Sequence, residues 1–152
     1  MITIKSFKQR GPMYDIVTVG EGMLRLSPPR NERIRRAKTY DVHIRGSQGN
    51  IAGNTVRLGL KSAFVTKLPD IALGLLMKDF FMSCGADTSH IQFIANSRLG
   101  VNYIEFGGTP RSSMVVYDRK TVQQAPYHRV ISTGTKYCKA AVLPIQIGFS
   151  PA

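Results

Sequence analysis

The sequence predicts an α/β fold: a parallel sheet with flanking helices, and a small flap of two strands set apart from it. Three observations lead there. Short β-branched runs alternate with longer helical segments, in the order strand, helix, strand, helix, strand. Each helical segment runs into a glycine. The flap segments alternate apolar and polar residues, whereas the first strand is apolar enough for burial on both faces.

Residues 1–13 read as a ragged leader. Lys5, Lys8 and Arg10 are not followed by the apolar stretch of a secretory signal. Asp15–Val19 is the first strand, ended by Gly20. Met23–Leu26 alternates and is stopped by Pro28 and Pro29. Arg30–Lys38 is a basic loop, and Thr39–Ile44 alternates again, giving the second flap strand. Gly46-Ser-Gln-Gly-Asn50 opens a helix that reaches Leu58 and closes at Gly59. Ser62–Thr66 is an apolar strand. Asp70 is placed to cap a helix over Ile71–Ser83, closed by Gly85. Ile91–Ala95, Val101–Phe106 and Met114–Tyr117 read as further strands.

At 152 residues, 43% of them hydrophobic, the chain can bury one core and is one domain or part of a larger one. Its longest apolar run, near Ile71–Met77, is far short of the roughly 20 residues that cross a bilayer. No membrane partner is expected. Cys84 and Cys138 have no metal-spaced partners, and His43, His90 and His128 are scattered. Reduced thiols, a cytoplasmic location and no metal site follow. The formal charge is +12, from 21 Lys and Arg against nine Asp and Glu. All nine acids lie between Asp15 and Asp118, so residues 120–152 carry four cations and no acid.

Three groups could carry chemistry. Gly46–Asn50 lets the backbone approach a ligand, offers Ser47, Gln48 and Asn50 to hydroxyl groups, and precedes a helix N-terminus that favours an anion. It suits a plain strand-to-helix turn as well, and it matches neither a phosphate loop nor a dinucleotide fingerprint. Tyr117-Asp-Arg119 offers a phenol and a guanidinium fork for a carboxylate, or a simple Asp–Arg pair at a strand end. Arg30, Arg33, Arg35, Arg36 and Lys38 could meet nucleic acid, making a small basic nucleic-acid-binding protein the alternative function. They lack interleaved aromatics, which favours a solvated loop.

Residues 15–119 resemble the N-terminal part of the ribokinase-like (pfkB) carbohydrate kinases, especially the 2-keto-3-deoxygluconate kinase branch. The residues that carry the resemblance are Val17-Thr-Val-Gly-Glu-Gly-Met-Leu-Arg-Leu-Ser-Pro-Pro29, Tyr40-Asp-Val42 and Gly46-Ser-Gln-Gly-Asn-Ile-Ala52. Phe64-Val-Thr-Lys-Leu-Pro-Asp70, Gly85-Ala-Asp-Thr-Ser89, Arg98-Leu-Gly100 and Val116-Tyr-Asp-Arg119 follow in order. The resemblance implies a partial ribokinase-like domain over residues 14–119, with the flap as its sugar-covering lid. It implies transfer of the ATP γ-phosphoryl group to a sugar-acid hydroxyl.

Carried over by position, Gly46, Ser47 and Asn50 line the sugar pocket, Asn102 stands where relatives often have Tyr, and Tyr117 and Arg119 hold the acid end. The usual Gly-Gly-x-x-x-Asn is changed to Gly46-Ser47-Gln48-Gly49-Asn50. Arg25 replaces the sugar-binding Asp of ribokinase, which points to a carboxylate-bearing substrate. The family's anion hole, catalytic Asp and ATP pocket belong to a C-terminal half that this sequence does not match. No catalytic residue, ATP or Mg is therefore assigned to this fragment, and it is expected to be inactive. The resemblance also implies a homodimer formed through the lid.

After Arg119 the likeness stops. Thr121–Ala140 can be back-translated so that a shifted frame gives a stretch containing Asp-Phe-Asp-Trp, as relatives have there. The expectation is that residues 120–152 are an out-of-frame tail that packs poorly, leaving Tyr117 and Arg119 at a frayed edge.

Overall fold

A computed structural model describes residues 14–119 and the backbone of Val142–Pro144. The elements in order are β1 (Ile16–Val19), β2 (Met23–Ser27), β3 (Asp41–Arg45), α1 (Ser47–Arg57), β4 (Ser62–Val65), β5 (Lys67–Pro69), α2 (Ala72–Ser83), β6 (Gln92–Ile94), β7 (Gly100–Glu105), β8 (Met114–Asp118) and β9 (Val142–Pro144). A short 3-10 turn at Pro29–Asn31 opens the basic loop.

The parallel sheet has the order β4-β1-β9. Val17, Thr18 and Val19 are buried, as a central strand of β-branched residues should be. Lys67–Pro69 separates from the strand before it and pairs in parallel with β6, where one strand over 62–66 had been expected. Phe64, Leu68, Met77 and Phe81 lie at the centre of the core, with Leu24, Ala52, Ala86 and Leu99 around them. The Phe64 and Phe81 rings meet edge to face at 4.8 Å, joining the sheet to α2.

Both helices end as the glycines predict. Gly59 and Gly85 take φ of +83° and +87°, angles that glycine adopts at little cost. Gly59 N donates to Val56 O and Leu60 N to Thr55 O; Gly85 N donates to Met82 O and Ala86 N to Phe81 O. Each is the two-bond Schellman closure. The start of α2 differs from expectation. Ile71 is the N-cap, with no side-chain cap. Asp70 instead donates its backbone N–H to Ile94 O, extending the β5–β6 ladder.

The larger correction concerns β7 and β8. The strand–helix rhythm placed them with the parallel sheet, but they join the flap, which becomes a four-stranded sheet of order β3-β2-β7-β8. The cause lies in the connections. No helix stands between β6 and β7 or between β7 and β8, so no parallel crossover is available and β7–β8 closes as an antiparallel pair. All five residues of β8 are in register with β7, so Tyr117 sits in a fully paired edge strand rather than a frayed one.

The expectation for residues 120–152 lies outside the described residues except at Val142–Pro144, whose backbone pairs in parallel with β1. Within the basic loop, Arg30, Arg33, Arg35, Arg36 and Lys38 are exposed. Its backbone is anchored from below: Ile34 N donates to Glu105 Oε2, and Arg111 Nη2 donates to Asn31 O.

Candidate functional site

The turn from β1 to β2 stands between α1 and the four-stranded sheet, and Glu21 is its central residue. Gly46, the N-cap of α1, packs so tightly that a Cβ there would lie 2.8 Å from the Glu21 carbonyl oxygen. The Glu21 side chain points toward the sheet. A Cβ on Gly100 would lie 2.8 Å from its Oε1, and its Oε2 is 3.7 Å from Arg119 Nη1. Glu21 thus touches the start of α1 through its backbone and the end of β8 through its carboxylate.

On α1, Ser47 is exposed and its hydroxyl donates to Gln48 Oε1 at 2.8 Å. Gln48 is buried against Gly20. Asn50 is exposed, and its backbone N–H donates to Gly46 O.

The sheet supplies the second wall. Register places Arg25, His43, Asn102 and Tyr117 in one row across the four strands. Gly100 and Arg119 lie on the same side one row on, because residues two apart share a face. The Arg119 guanidinium lies 5.7 Å from the Tyr117 ring centroid, an attractive placement. Asn102 is buried, and its Oδ1 has no hydrogen-bond partner. A buried carbonyl in that state is poised to accept from a ligand hydroxyl.

Burial pushes the Glu21 carboxyl above its usual range, and the Arg119 charge offsets this in part. Its Oε1 is also buried without a partner. Glu21 thus combines a desolvated carboxyl, an arginine partner and an unsatisfied oxygen.

The structure brings Asn102, Tyr117 and Arg119 onto one face, and Glu21 links that group to Gly46. Ser47 and Asn50 stand on the first turn of α1. Sequence reasoning missed Glu21 and Arg45. A carboxylate between two glycines at the end of a buried strand was the available signal for the first; nothing singled out the second. Among the described residues, no group of three His, Cys, Asp or Glu side chains could hold a metal ion. The amide, hydroxyl and guanidinium groups gathered here are hydrogen-bond partners for hydroxyls and anions.

The parallel sheet with its flanking helices, and the polar mixed sheet beside the first helix, define an α/β protein. The chain belongs to the pfkB family of carbohydrate kinases, whose profile matches residues 13–140. It is 38% identical over 105 residues to the 2-dehydro-3-deoxygalactonokinase of Haloferax volcanii, covering 69% of this chain and 33% of that one. It is 31% identical over 111 residues to a 5-dehydro-2-deoxygluconokinase of Clostridium botulinum, covering 72% and 33%. The crystal structure of the 2-dehydro-3-deoxygluconokinase of Thermotoga maritima superposes with a TM-score of 0.67 at 37% identity, over 74% of this chain and 35% of that one. The chain spans about a third of the length of the curated relatives it matches.

Proposed function

We propose that this chain carries the sugar-side half of a keto-deoxy sugar-acid kinase, with 2-keto-3-deoxygluconate as the favoured acceptor. The observation that carries the reading is the face bearing Asn102, Tyr117 and Arg119, where a buried, unpartnered amide oxygen stands among cations. Gly46, Ser47 and Asn50 take the sugar hydroxyls at the start of α1. Asn102 Oδ1 accepts from one further hydroxyl, and Tyr117 and Arg119 meet the acid end. The names of the three relatives above, each a kinase of a dehydro-deoxy sugar or sugar acid, support this substrate class.

Phosphoryl transfer needs charge stabilisation around the γ-phosphate and a base for the acceptor hydroxyl. To the described residues we assign the binding of the acceptor alone. No helix among the described residues is long and apolar enough to cross a membrane, and a cytoplasmic site of action suits a sugar-acid substrate. The edge strand β8, with Met114, Val115 and Val116 exposed, supports pairing of two copies through the four-stranded sheet.

Calorimetric titration of the chain with 2-keto-3-deoxygluconate should give saturable binding that Arg119→Ala abolishes. Absence of saturable binding, together with salt-dependent binding to random DNA or RNA, would instead establish a basic nucleic-acid-binding protein.

A further inference from the structure

We propose that Glu21, in the turn between β1 and β2, takes a proton from solvent when a sugar acid binds, so that the site accepts its ligand together with a proton. This rests on the sugar-acid reading, in which Arg119 meets the acid end.

The carboxylate of Glu21 is enclosed. Its Oε1 lies against Gly100 of β7 and is buried without a hydrogen-bond partner. Its Oε2 is 3.7 Å from Arg119 Nη1, beyond hydrogen-bond reach. Glu21 therefore offsets the Arg119 charge without occupying the N–H fork that a planar ligand carboxylate would take.

Few charges face this group. The row beside it across the four-stranded sheet runs Arg45, Met23, Gly100 and Arg119, so two uncharged residues separate Arg45 from Arg119. The next row holds His43, Arg25, Asn102 and Tyr117. The first turn of α1 carries no acid, and α2 meets the turn through Met77 against Gly22. Arg119 is the charge that acts on Glu21.

Burial raises the Glu21 carboxyl above its usual range, and Arg119 draws it back. A ligand carboxylate on the Arg119 fork cancels that second effect and sets a like charge beside Glu21. Both changes favour the neutral acid. The proton comes from solvent, and the neutral carboxyl then offers an O–H donor where the carboxylate would repel the ligand. The ligand-bound site thus keeps this proton to higher pH than the empty one. Affinity is full below the empty-site value and falls by about tenfold per pH unit through the interval between the two.

The test is calorimetry on the full 152-residue chain with 2-keto-3-deoxygluconate, from about pH 5 to 8, in buffers of different ionisation enthalpy. The buffer dependence of the heat counts the protons taken up. Uptake rising toward one proton per ligand is expected within this range, with affinity weakening as pH rises. Glu21→Gln, uncharged throughout, should bind with no uptake, with affinity independent of pH, and about tenfold or more tighter than the parent at the alkaline end. A Glu21 that merely held Arg119 in place would instead cost the variant its sugar-acid binding at every pH. Uptake that persists in Glu21→Gln would belong to His43 and would overturn the assignment. Saturable binding by the parent chain with no uptake overturns the proposal while the sugar-acid reading stands, and needs no variant to fold. Absence of saturable binding at every pH overturns both.

Discussion

Gly49→Ala tests the packing that holds the start of α1 in place. Gly49 is buried in the first turn of that helix, facing the ring of Phe81. A Cβ there would stand under 3 Å from Phe81 Cζ and Cε1, and 3.0 Å from Cε2. The ring has little room to yield. Phe81 is 1% exposed and meets Phe64 at 4.8 Å and Phe80 at 5.2 Å, both edge to face. Overpacking of this kind costs about 1–3 kcal/mol. Alanine returns at most about 1 kcal/mol through helix propensity, and less at a helix end. The expected balance is a loss of about 1–2 kcal/mol, or a fall in Tm of about 2–8 °C.

Urea unfolding should show a lower midpoint with an unchanged slope. Phe81→Leu removes the obstructing ring atoms, so the double variant should be no less stable than Phe81→Leu alone, a coupling of about 1 kcal/mol or more. A Gly49→Ala chain as stable as the parent would refute the reasoning, and so would strict additivity. The same shift displaces Ser47 and Asn50, so sugar-acid affinity should fall in Gly49→Ala and recover in the double variant.

Three further outcomes are expected. Tyr14 donates to Asp87 Oδ2 and lies 3.1 Å from His90 Nε2. Burial raises the Asp87 pKa, but hydrogen bonds from Tyr14 and Ser89 and the nearby His90 outweigh it, for a net lowering from 3.8. That stability is present above the unfolded value and is lost as pH falls through the folded one. Burial, with Asp87 beside it, pushes Tyr14 up to about 12 from 10.0, so stability also declines as pH rises through that window. Tyr14→Phe should flatten both limbs of the stability–pH curve, and unchanged limbs would remove the cluster from the account. For Glu21 the folded pKa is raised from 4.5, so stability should decline as pH rises above that value, and Glu21→Gln should abolish the decline. The coding DNA decides the tail: we propose a shifted frame after codon 119, and a shifted reading without Asp-Phe-Asp-Trp would rule it out.

Legibility in the sequence followed the range of the interactions. Gly59 and Gly85 were readable because a helix closure is settled by its own last turn. The partners of β7 and β8 were not, since period-2 alternation identifies a strand without naming its neighbour; the missing crossover helix held that information. Asp70 looked like a cap, yet a long-range ladder with Ile94 took its backbone. Of the site, Gly46–Asn50 and Tyr117-Asp-Arg119 stood out by local chemistry with a plain structural reading equally open, whereas Asn102 was reached through the family resemblance alone. Arg45 follows from the β2–β3 register alone, which becomes visible when the two strands are laid side by side.

Net charge conceals this distinction among the cations. The arginines of the 30–38 loop are solvated, screened within a Debye length of about 8 Å at physiological salt and free to attract any polyanion weakly. Arg98, Arg111 and Arg119 each face a carboxylate. Arg25 and Arg45 are half-buried, have no hydrogen-bond partner at Nε and join no ion pair among the described residues. Raising the salt concentration should therefore abolish polyanion binding to the loop long before it weakens a sugar acid held on the site face of the four-stranded sheet. The ratio of the two salt slopes, measured on one sample with random DNA and with 2-keto-3-deoxygluconate, separates a solvated basic loop from a built anion site.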